Sequence, residues 1–396
     1  MDKQLILKPG RERSVQRFHP WIFSGSVGEA RGEPASGDTV DVLSHTGEWL
    51  ARAAYSPQAR IAARIWTWNR DEPVDRDFLA KRLERALEAR AALARDPEVT
   101  AYREVHAESD GLPGLVVDRY GEVRVVQFLS AGVEAWRETI IDLVENMGPC
   151  SGIFERSDVD TRQREGLPPR SGLLYGQVPE LVEIREGDMR FAVDVGRGQK
   201  TGFYLDQRDS RQVIRRLHNA GRVLNAFCYT GSFTVAALRA GAQEALSIDS
   251  SAEALELARE NVRRNGLDES RALWKEGNVF QELRTLRDKA ETFDTAFLDP
   301  PRFAAAVSQV SKAARAYKDV NLLAFKLLRP GGRLVTFSCS SGVSPDLFQQ
   351  IVAAAALDAG VQAQIVGWLG QPADHPVGIH FPEGRYLKGL IVRVGS

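Results

Sequence analysis

Residues 222–249 read RVLNAFCYTGSFTVAALRAGAQEALSID, and their hydrophobic pattern decides the fold class. The spacing predicts a strand over Arg222–Asn225, a turn with one glycine, a helix over Phe233–Arg239 and a second strand ending at Asp249. The alternation continues with helices and strands at Ala252–Asn265, Phe293–Leu298, Val320–Leu328 and Arg333–Phe337. Strands that alternate with helices form parallel βαβ units, so we expect a Rossmann-like, doubly wound α/β domain over residues 189–396.

The first 72 residues have a different pattern, in which short apolar runs are separated by Gly, Pro and Asn. The runs predict strands at Thr39–Leu43, Glu48–Ala54 and Ile61–Trp66, and hence a small β-barrel over residues 1–72. Residues 2–17 hold five basic and two acidic side chains, and three aromatic side chains follow at Phe18, Trp21 and Phe23. A basic edge with aromatic residues is typical of RNA-binding modules. The alternative is a solvated arm followed by aromatic residues of the core.

Residues 73–188 predict a central α+β domain. Apolar residues recur at helical spacing after residue 76, and the runs Gly114–Val117 and Val123–Phe128 predict a hairpin. A helix over Val133–Met147 and a strand over Gly152–Arg156 follow. With boundaries near residues 72 and 188, the chain of 396 residues divides into three domains.

The composition is that of an ordinary globular protein, with 43% hydrophobic and 27% charged residues and a net charge of −1. Three scattered cysteines, Cys150, Cys228 and Cys339, exclude a disulfide framework and a zinc site, so no metal is expected. The sequence shows neither the apolar core of a signal peptide nor a run long enough to cross a membrane. We therefore expect a cytoplasmic protein with no membrane partner.

A candidate cofactor site follows the first two strands of the α/β domain, because ligands of such sheets bind beyond the carboxyl ends of the strands. The first loop has the single glycine Gly231, without a G-x-G-x-x-G fingerprint or a Walker lysine, which disfavours dinucleotides and nucleoside triphosphates. Asp249 has the position of an acid that accepts hydrogen bonds from ribose hydroxyls, the alternative being a helix N-cap. A nucleoside cofactor with ribose but no pyrophosphate is S-adenosylmethionine.

Further residues complete this predicted site. Gln207 or Arg208 would form a lid that reaches the methionyl end, although Asp206 can also be explained as the cap of a helix starting near Gln207. Asn278 would place a polar side chain near the adenine. The predicted binding residues are Gln207, Arg208, Asn225, Phe227, Tyr229, Thr230, Gly231, Ser232, Asp249, Ser250, Asn278 and Asp299.

Two later strand ends carry the candidate reaction chemistry. Asp299 precedes Pro300-Pro301, which fix the backbone, and Cys339 follows the next predicted strand. If these strands are neighbours, the thiol and the carboxylate face one pocket beside the methyl donor. Attack of Cys339 on C6 of a pyrimidine would make C5 nucleophilic, which predicts covalent catalysis of C5 methylation. The alternative for a strand cysteine is simple burial, which we prefer for Cys228 and Cys150.

These motifs resemble one family along nearly the whole chain. NAFCYTGSF, FLDPPRF, TFSCSS, KTGFYLDQRDSR, SDGLPGLVVDRY, KPGRERSVQRFHPWIFSGSV and DHPVGIHFPEGRYLKG are similar to the bacterial 23S rRNA 5-methylcytosine methyltransferases of the RlmI type. The resemblance implies a PUA domain, a central α+β domain and a Rossmann-like methyltransferase domain. It also implies that Cys339 is the nucleophile, Asp299 its partner, and residues 225–232 with Asp249 part of the S-adenosylmethionine site.

Four points stay open from the sequence: the base that takes the C5 proton, the position that is methylated, whether the protein catalyses a reaction at all, and the oligomeric state. Arg302 stands where another group of cytosine-C5 RNA methyltransferases has a second cysteine, so a different base must take the C5 proton. A guanine-N methyltransferase on a similar domain would need no thiol, and an RNA-binding protein with an inactive methyltransferase domain would need no turnover. The expected partner is 23S rRNA, and the oligomeric state is open, with a homodimer as one alternative.

Overall fold

The computed structural model describes residues 3–217, 221–304 and 309–395. Contacts divide these residues into two units. Unit 1 comprises the described residues of Met1–Gly187, Val193–Leu205 and Ala373–Gly384, and unit 2 those of Asp188–Ala192, Asp206–Pro372 and Arg385–Ser396. None of the helices described is both long and apolar enough to span a bilayer.

The strands and helices up to residue 193 are, in chain order, β1 (Gln4–Leu7), α1 (Arg13–Gln16), β2 (Trp21–Phe23), β3 (Val27–Arg31), β4 (Thr39–Leu43), β5 (Trp49–Tyr55), β6 (Ile61–Thr67), α2 (Arg76–Ala89), α3 (Ala91–Arg95), β7 (Ala101–His106), β8 (Leu115–Tyr120), β9 (Val123–Phe128), α4 (Ala131–Ala135), α5 (Arg137–Glu145), β10 (Gly152–Ser157), α6 (Asp160–Arg164), β11 (Arg170–Gly176), β12 (Val182–Glu186) and β13 (Met189–Val193).

Those that follow are α7 (Arg208–Arg216), β14 (Arg222–Ala226), α8 (Ser232–Arg239), β15 (Glu244–Asp249), α9 (Ala252–Arg264), β16 (Ala272–Glu276), α10 (Val279–Asp288), β17 (Phe293–Leu298), α11 (Val310–Leu327), β18 (Leu328–Ser338), α12 (Pro345–Ala359), β19 (Ala363–Gly370) and β20 (Lys388–Val394).

Unit 1 begins with a six-stranded sheet in the order β2-β6-β5-β4-β1-β3. Alternate residues of β1 and β4 point inward, as in Leu5, Leu7, Val40 and Val42, so one face of the sheet forms an apolar core. The three strands predicted here are present within one residue at each end. Phe18 does not belong to this core, because 51% of its surface is exposed.

A five-stranded sheet in the order β11-β10-β9-β8-β7 forms the second part of unit 1. Helix α2 begins where the Asp75 carboxylate accepts a hydrogen bond of 2.9 Å from the Phe78 amide, and its apolar face packs on this sheet's core. The prediction of one helix over Val133–Met147 is wrong. Trp136 has backbone angles of −98° and 12°, which separate α4 from α5. The apolar spacing continues through this break, so it gives no sign of it.

Unit 2 contains a seven-stranded sheet in the order β16-β15-β14-β17-β18-β20-β19. The first five strands in this order are parallel, and β20 runs antiparallel to both β18 and β19. The order of the strands reverses at β14, from which the sheet continues to β15 and β16 on one side and to β17 and β18 on the other. This switch point places the loops after β14, β15, β17 and β18 at one edge, where α/β sheets bind ligands.

Residues 373–384 return to unit 1. The backbone carbonyl of Asp374 accepts a hydrogen bond of 3.0 Å from Arg90, and its carboxylate accepts one of 2.9 Å from the Arg103 amide. The Phe381 ring lies 4.7 Å from the Trp21 ring, edge to face. This segment thus supplies hydrogen-bond acceptors and packing to a unit whose other residues precede residue 206.

Candidate active site

The loop after β14 has an unusual backbone. Phe227 and Tyr229 have φ values of 61° and 47°, and Gly231 has 73°, so three of five consecutive residues lie in the left-handed region. That region is costly for residues with a Cβ and persists only where surrounding contacts enforce it. The amide of Cys228 donates to the Ile248 carbonyl at 3.1 Å, and the amide of Gly231 donates to the Cys228 carbonyl at 2.9 Å. The neighbouring strand β15 therefore holds the loop in shape.

Asp249, at the end of β15, holds the same loop through its side chain. Its carboxylate accepts hydrogen bonds from the amides of Tyr229 at 2.8 Å and Ser251 at 3.1 Å. The N-cap of α9 is Ser251, whose hydroxyl accepts from the Ala254 amide, so the alternative of Asp249 as that cap is wrong. Each carboxylate oxygen has a second lone pair for a ligand hydroxyl.

Gly231 is required by packing as well as by its backbone angle. A Cβ at this position would lie 2.8 Å from the Cβ of Ala258 on α9 and 3.1 Å from the Trp274 ring on β16. The loop therefore sits against α9 with no room for a side chain, and α8 begins at the next residue, Ser232.

The remaining predicted cofactor residues have diverse surroundings. The Asn225 amide is fully buried and donates to the Thr234 hydroxyl at 2.9 Å, so it joins β14 to α8. Phe227 packs against the Phe280 ring at 6.1 Å. Asn278 is exposed and caps α10 by accepting from the Gln281 amide, and Ser250 is exposed. The cap was not foreseen from the sequence.

Gln207 meets Asp299 in this site. Gln207 Nε2 donates a hydrogen bond of 3.1 Å to Asp299 Oδ2, which joins the segment before α7 to the end of β17. Arg208 is buried at the start of α7. The sequence allowed the alternative that Asp206 caps this helix, but the N-cap of α7 is Gln207. The Asp206 carboxylate instead accepts a hydrogen bond of 2.8 Å from the Tyr386 hydroxyl.

The strands that carry Asp299 and Cys339 are neighbours. β17 and β18 pair in parallel with Leu298 opposite Thr336, so both strands end at the same edge. The two following loops are joined by hydrogen bonds from Arg302 to the Ser341 hydroxyl at 2.6 Å and from the Ala304 amide to the Ser340 hydroxyl at 3.1 Å. Cys339 is half-buried at the start of the second of these loops.

The other two cysteines lie in packed surroundings. Cys228 is buried, and this burial, with a contribution from the Asp249 charge, raises the pKa of its thiol well above the ordinary value. Cys150 is half-buried and packs against the core of unit 1. A thiol with a raised pKa is mostly protonated at neutral pH and is a poor nucleophile.

Lys388 was missed from the sequence, although it belongs to the quoted motif RYLKG. Its side chain is 5% exposed at the start of β20, and its ammonium donates to the carbonyls of Ser340 and Tyr386, both at 2.7 Å. Burial lowers its pKa to about 8, against a smaller opposing effect of the Cys339 thiolate. A lysine is rarely buried, so the sequence pattern gave no reason to place it here.

Comparison with protein families assigns two segments of the chain. A model of a PUA-like domain matches residues 5–68, and a model described as S-adenosylmethionine-dependent methyltransferase matches residues 160–378. Two relatives carry the name ribosomal RNA large subunit methyltransferase I. The protein of Shewanella amazonensis is 50% identical over 395 residues, covering 100% of both chains. The protein of Aeromonas hydrophila is 49% identical over 99% of this chain and 100% of its own.

The chain belongs to the ribosomal RNA large subunit methyltransferase I family. The predicted fold class is thereby confirmed, with a PUA-like domain and an S-adenosylmethionine-dependent methyltransferase domain. The division into three domains near residues 72 and 188 stays a prediction.

Solved structures agree with this fold. A Streptococcus mutans protein, provisionally named a SAM-dependent methyltransferase, superposes with a TM-score of 0.86 at 22% identity, and both chains are covered completely. A methyltransferase structure, SMU.776, also provisionally named and in complex with SAH, gives a TM-score of 0.87 at 22% identity with full coverage. At this identity the likeness shows the fold.

The site of this family member suits its cofactor, S-adenosylmethionine. Gln207 Oε1 and Thr230 Oγ1 are buried, and neither has a hydrogen-bond partner among the residues that the structure describes. Buried polar atoms normally have partners, so these two are suited to a ligand that supplies donors. The ammonium and ribose hydroxyls of S-adenosylmethionine are such donors.

Proposed function

We propose that this methyltransferase transfers a methyl group to C5 of a cytosine in 23S rRNA, with Cys339 as the covalent nucleophile. The observation that carries the proposal is the parallel pairing of β17 and β18, with Asp299 after one strand and Cys339 after the other. A thiol and a carboxylate at adjacent strand ends, beside the loops of a methyl-donor site, are the two groups that C5 chemistry needs.

The reaction begins at sulfur. The Cys339 thiolate forms a bond to C6, and the electrons of the C5–C6 double bond move toward N3, which takes a proton. C5 is then nucleophilic and forms the new carbon–carbon bond. When bound, S-adenosylmethionine supplies the electrophilic methyl group and leaves as S-adenosylhomocysteine. Removal of the C5 proton by a base restores the double bond and expels the thiolate, and N3 gives back the proton that it took. The net products are the methylated base, S-adenosylhomocysteine and one proton.

In this proposal Asp299 positions the target base, and Gln207 positions Asp299. The Asp299 carboxylate accepts from the exocyclic amine of cytosine and supports the proton on N3. The hydrogen bond from Gln207 Nε2 fixes one oxygen of that carboxylate. A carboxylate held in this way is already oriented before the substrate binds, which lowers the cost of ordering it in the transition state.

The names of the two relatives support large-subunit rRNA as the substrate. In unit 1, the side chains of Arg11, Arg13, Arg17 and Phe18 are exposed. Basic side chains pair with phosphates, and an exposed aromatic ring can stack on an unpaired base. This surface suits RNA, and the alternative of buried aromatic residues fails for Phe18 and for Phe23, which are 51% and 40% exposed.

The product nucleoside tests the proposal. The purified enzyme is incubated with S-adenosylmethionine and 23S rRNA that lacks its methylations, as free RNA and as large subunits, and the digested nucleosides are identified by mass spectrometry. We expect 5-methylcytidine at one position. Methylguanosine as the product would contradict the proposal, and the absence of any product from either substrate would favour a binding protein.

The covalent step has its own test. Cys339→Ser and Cys339→Ala should abolish methylation, whereas Cys150→Ser, at a cysteine outside the site, serves as the matched control and should keep it. RNA containing 5-fluorocytidine should trap the wild-type enzyme as a complex stable to denaturation, because fluorine at C5 cannot leave as a proton does. Full methylation by either Cys339 variant would exclude the covalent mechanism.

A further inference from the structure

Lys388 is placed next to Cys339 by the pairing of two strands. β20 lies antiparallel to β18, and Lys388, its first residue, is opposite Ser338, the residue before Cys339. The ammonium donates to the carbonyl of Ser340, the residue after Cys339, and to that of Tyr386. Lys388 is thus held against both residues that flank Cys339 in the chain, Ser338 through strand pairing and Ser340 through a hydrogen bond.

The charged groups that face this ammonium come from three elements. Cys339 lies on the loop after β18, Arg302 on the loop after β17, and Arg385 precedes β20. Tyr317 of α11 faces the same cysteine, because its hydroxyl is 3.0 Å from Ser340 Oγ and the thiolate charge contributes to raising its pKa. Among these groups the Cys339 sulfur is the one that can carry a negative charge close to neutral pH. Within the described part of the chain, no carboxylate forms an ion pair with Lys388.

Burial of a cation without a paired carboxylate costs free energy, so a buried lysine of this kind is expected to have a function. Two backbone carbonyls satisfy part of its hydrogen-bonding capacity but carry no net charge. Burial and both arginines lower the pKa of Lys388, whereas the Cys339 thiolate raises it. Electrostatic coupling is reciprocal, so an ammonium that gains from the thiolate stabilises the thiolate equally.

We propose that Lys388 is a positioning residue that holds the Cys339 sulfur as a thiolate, ready for attack on the substrate. Its catalytic consequence rests on the proposed C5 mechanism, but the ion pair itself does not. In this arrangement the enzyme ionises its nucleophile before the RNA arrives. The strand β20 supplies the cation and the loop after β18 supplies the anion, so the pairing of β20 with β18 assembles the reactive centre.

Alkylation of the protein without RNA tests the ion pair. The rate at which iodoacetamide modifies Cys339 is followed by peptide mass spectrometry from pH 5.5 to 10 in wild type, Lys388→Met, Lys388→Gln and Lys388→Arg. Loss of the charge should move the midpoint of the rate profile up by about one pH unit and slow alkylation at pH 7 roughly tenfold. Lys388→Gln keeps a hydrogen-bond donor for the carbonyls, and Lys388→Arg keeps the charge with a profile close to that of wild type.

The matched control is Lys326→Met, which removes an exposed lysine of α11 and should leave the profile unchanged. Binding of S-adenosylmethionine, measured by calorimetry, shows that each variant is folded. A wild-type midpoint in both Lys388→Met and Lys388→Gln would overturn the proposal, as would a shift in Lys388→Met alone, because the hydrogen bonds would then matter and the charge would not. If Lys388 shifts the profile but the product nucleoside is not 5-methylcytidine, the ion pair stands and the proposed reaction fails.

Discussion

Gln207 Nε2 lies 3.1 Å from Asp299 Oδ2, although 92 residues separate the two in the chain. The contact joins the segment before α7, which the sequence predicts as a lid, to the carboxylate that is predicted to touch the target base. One hydrogen bond therefore links a residue predicted to bind the cofactor to a residue proposed to bind the target base. Because Gln207 is buried and Asp299 half-buried, the bond is protected from competition by water.

A charge at Gln207 should make this contact repulsive. We expect Gln207→Glu to lower the free energy of unfolding at pH 8 by about 1–3 kcal/mol, because two carboxylates would share one buried position. The like charge raises the pKa of one carboxyl, so the folded protein retains a proton that the unfolded chain releases, and the loss of stability should shrink as the pH falls toward 5. Chemical denaturation at both pH values measures this. Gln349→Glu, the same change at an exposed site of α12, should show no such trend, and a trend equal in both variants would contradict the prediction.

Gly231 should tolerate no side chain. Gly231→Ala imposes a left-handed backbone on alanine and forces its Cβ against Ala258 and Trp274. Gly266→Ala is the matched control, because Gly266 has a φ of 61° but no atom near a Cβ. The free energy of unfolding should fall by roughly 1–3 kcal/mol more in Gly231→Ala than in the control, which isolates the cost of overpacking. Equal losses in the two variants would mean that only the backbone angle matters.

Asp249 should govern cofactor affinity. We expect Asp249→Asn to weaken binding of S-adenosylmethionine by roughly tenfold or more in calorimetry, because the amide loses the charge and one of the acceptor atoms that hold Tyr229 and the ligand. The control is Asp268→Asn, which changes a carboxylate that caps a short turn before β16 by accepting from Ser270. Unchanged affinity in Asp249→Asn would exclude a ribose-binding role for this carboxylate.

Lys388 should make stability depend on pH. Its pKa is about 8 in the folded protein and near 10.5 in the unfolded chain, so between these values the unfolded chain binds more protons. Stability of the wild type should therefore rise with pH across this window, by up to about 3 kcal/mol relative to Lys388→Met. Urea denaturation of both proteins at pH 7, 8.5 and 10 gives the difference. A difference that stays constant over this range would show that the pKa is not lowered.

Much of the α/β domain could be predicted because its strands are buried and uniformly apolar. The predicted strand Phe293–Leu298 coincides with β17, and the loops that follow β14 and β15 carry the residues expected there. β18 extends through Pro330-Gly331-Gly332, a run that normally indicates a turn, so its first half was missed. The side chains of the strand β20 could not be placed, because the position of Lys388 depends on pairing with β18, a contact across 50 residues.

Local hydrogen bonds also escaped prediction. Asp206 and Asp249 both have the sequence context of a helix cap, yet Asp206 accepts a hydrogen bond from Tyr386, and Asp249 accepts one from Tyr229 in addition to one from the nearby Ser251 amide. The preference of a residue for a helix cap depends on the local sequence, whereas the hydrogen bonds from Tyr386 and Tyr229 depend on the tertiary structure. The predicted role of Gln207 as a lid that reaches the methionyl end of the cofactor stays a prediction, and its hydrogen bond to Asp299 was not anticipated.

The return of residues 373–384 to unit 1 has a consequence for how the protein matures. During synthesis, Arg90 and Trp21 are made early, but the Asp374 carbonyl and the Phe381 ring that complete their surroundings are made more than 280 residues later. The first unit cannot reach its final packing until the ribosome has passed residue 384, by which time most of the second unit is also available. A cut between Gly187 and Asp188 would accordingly separate two incomplete pieces rather than release two independent proteins.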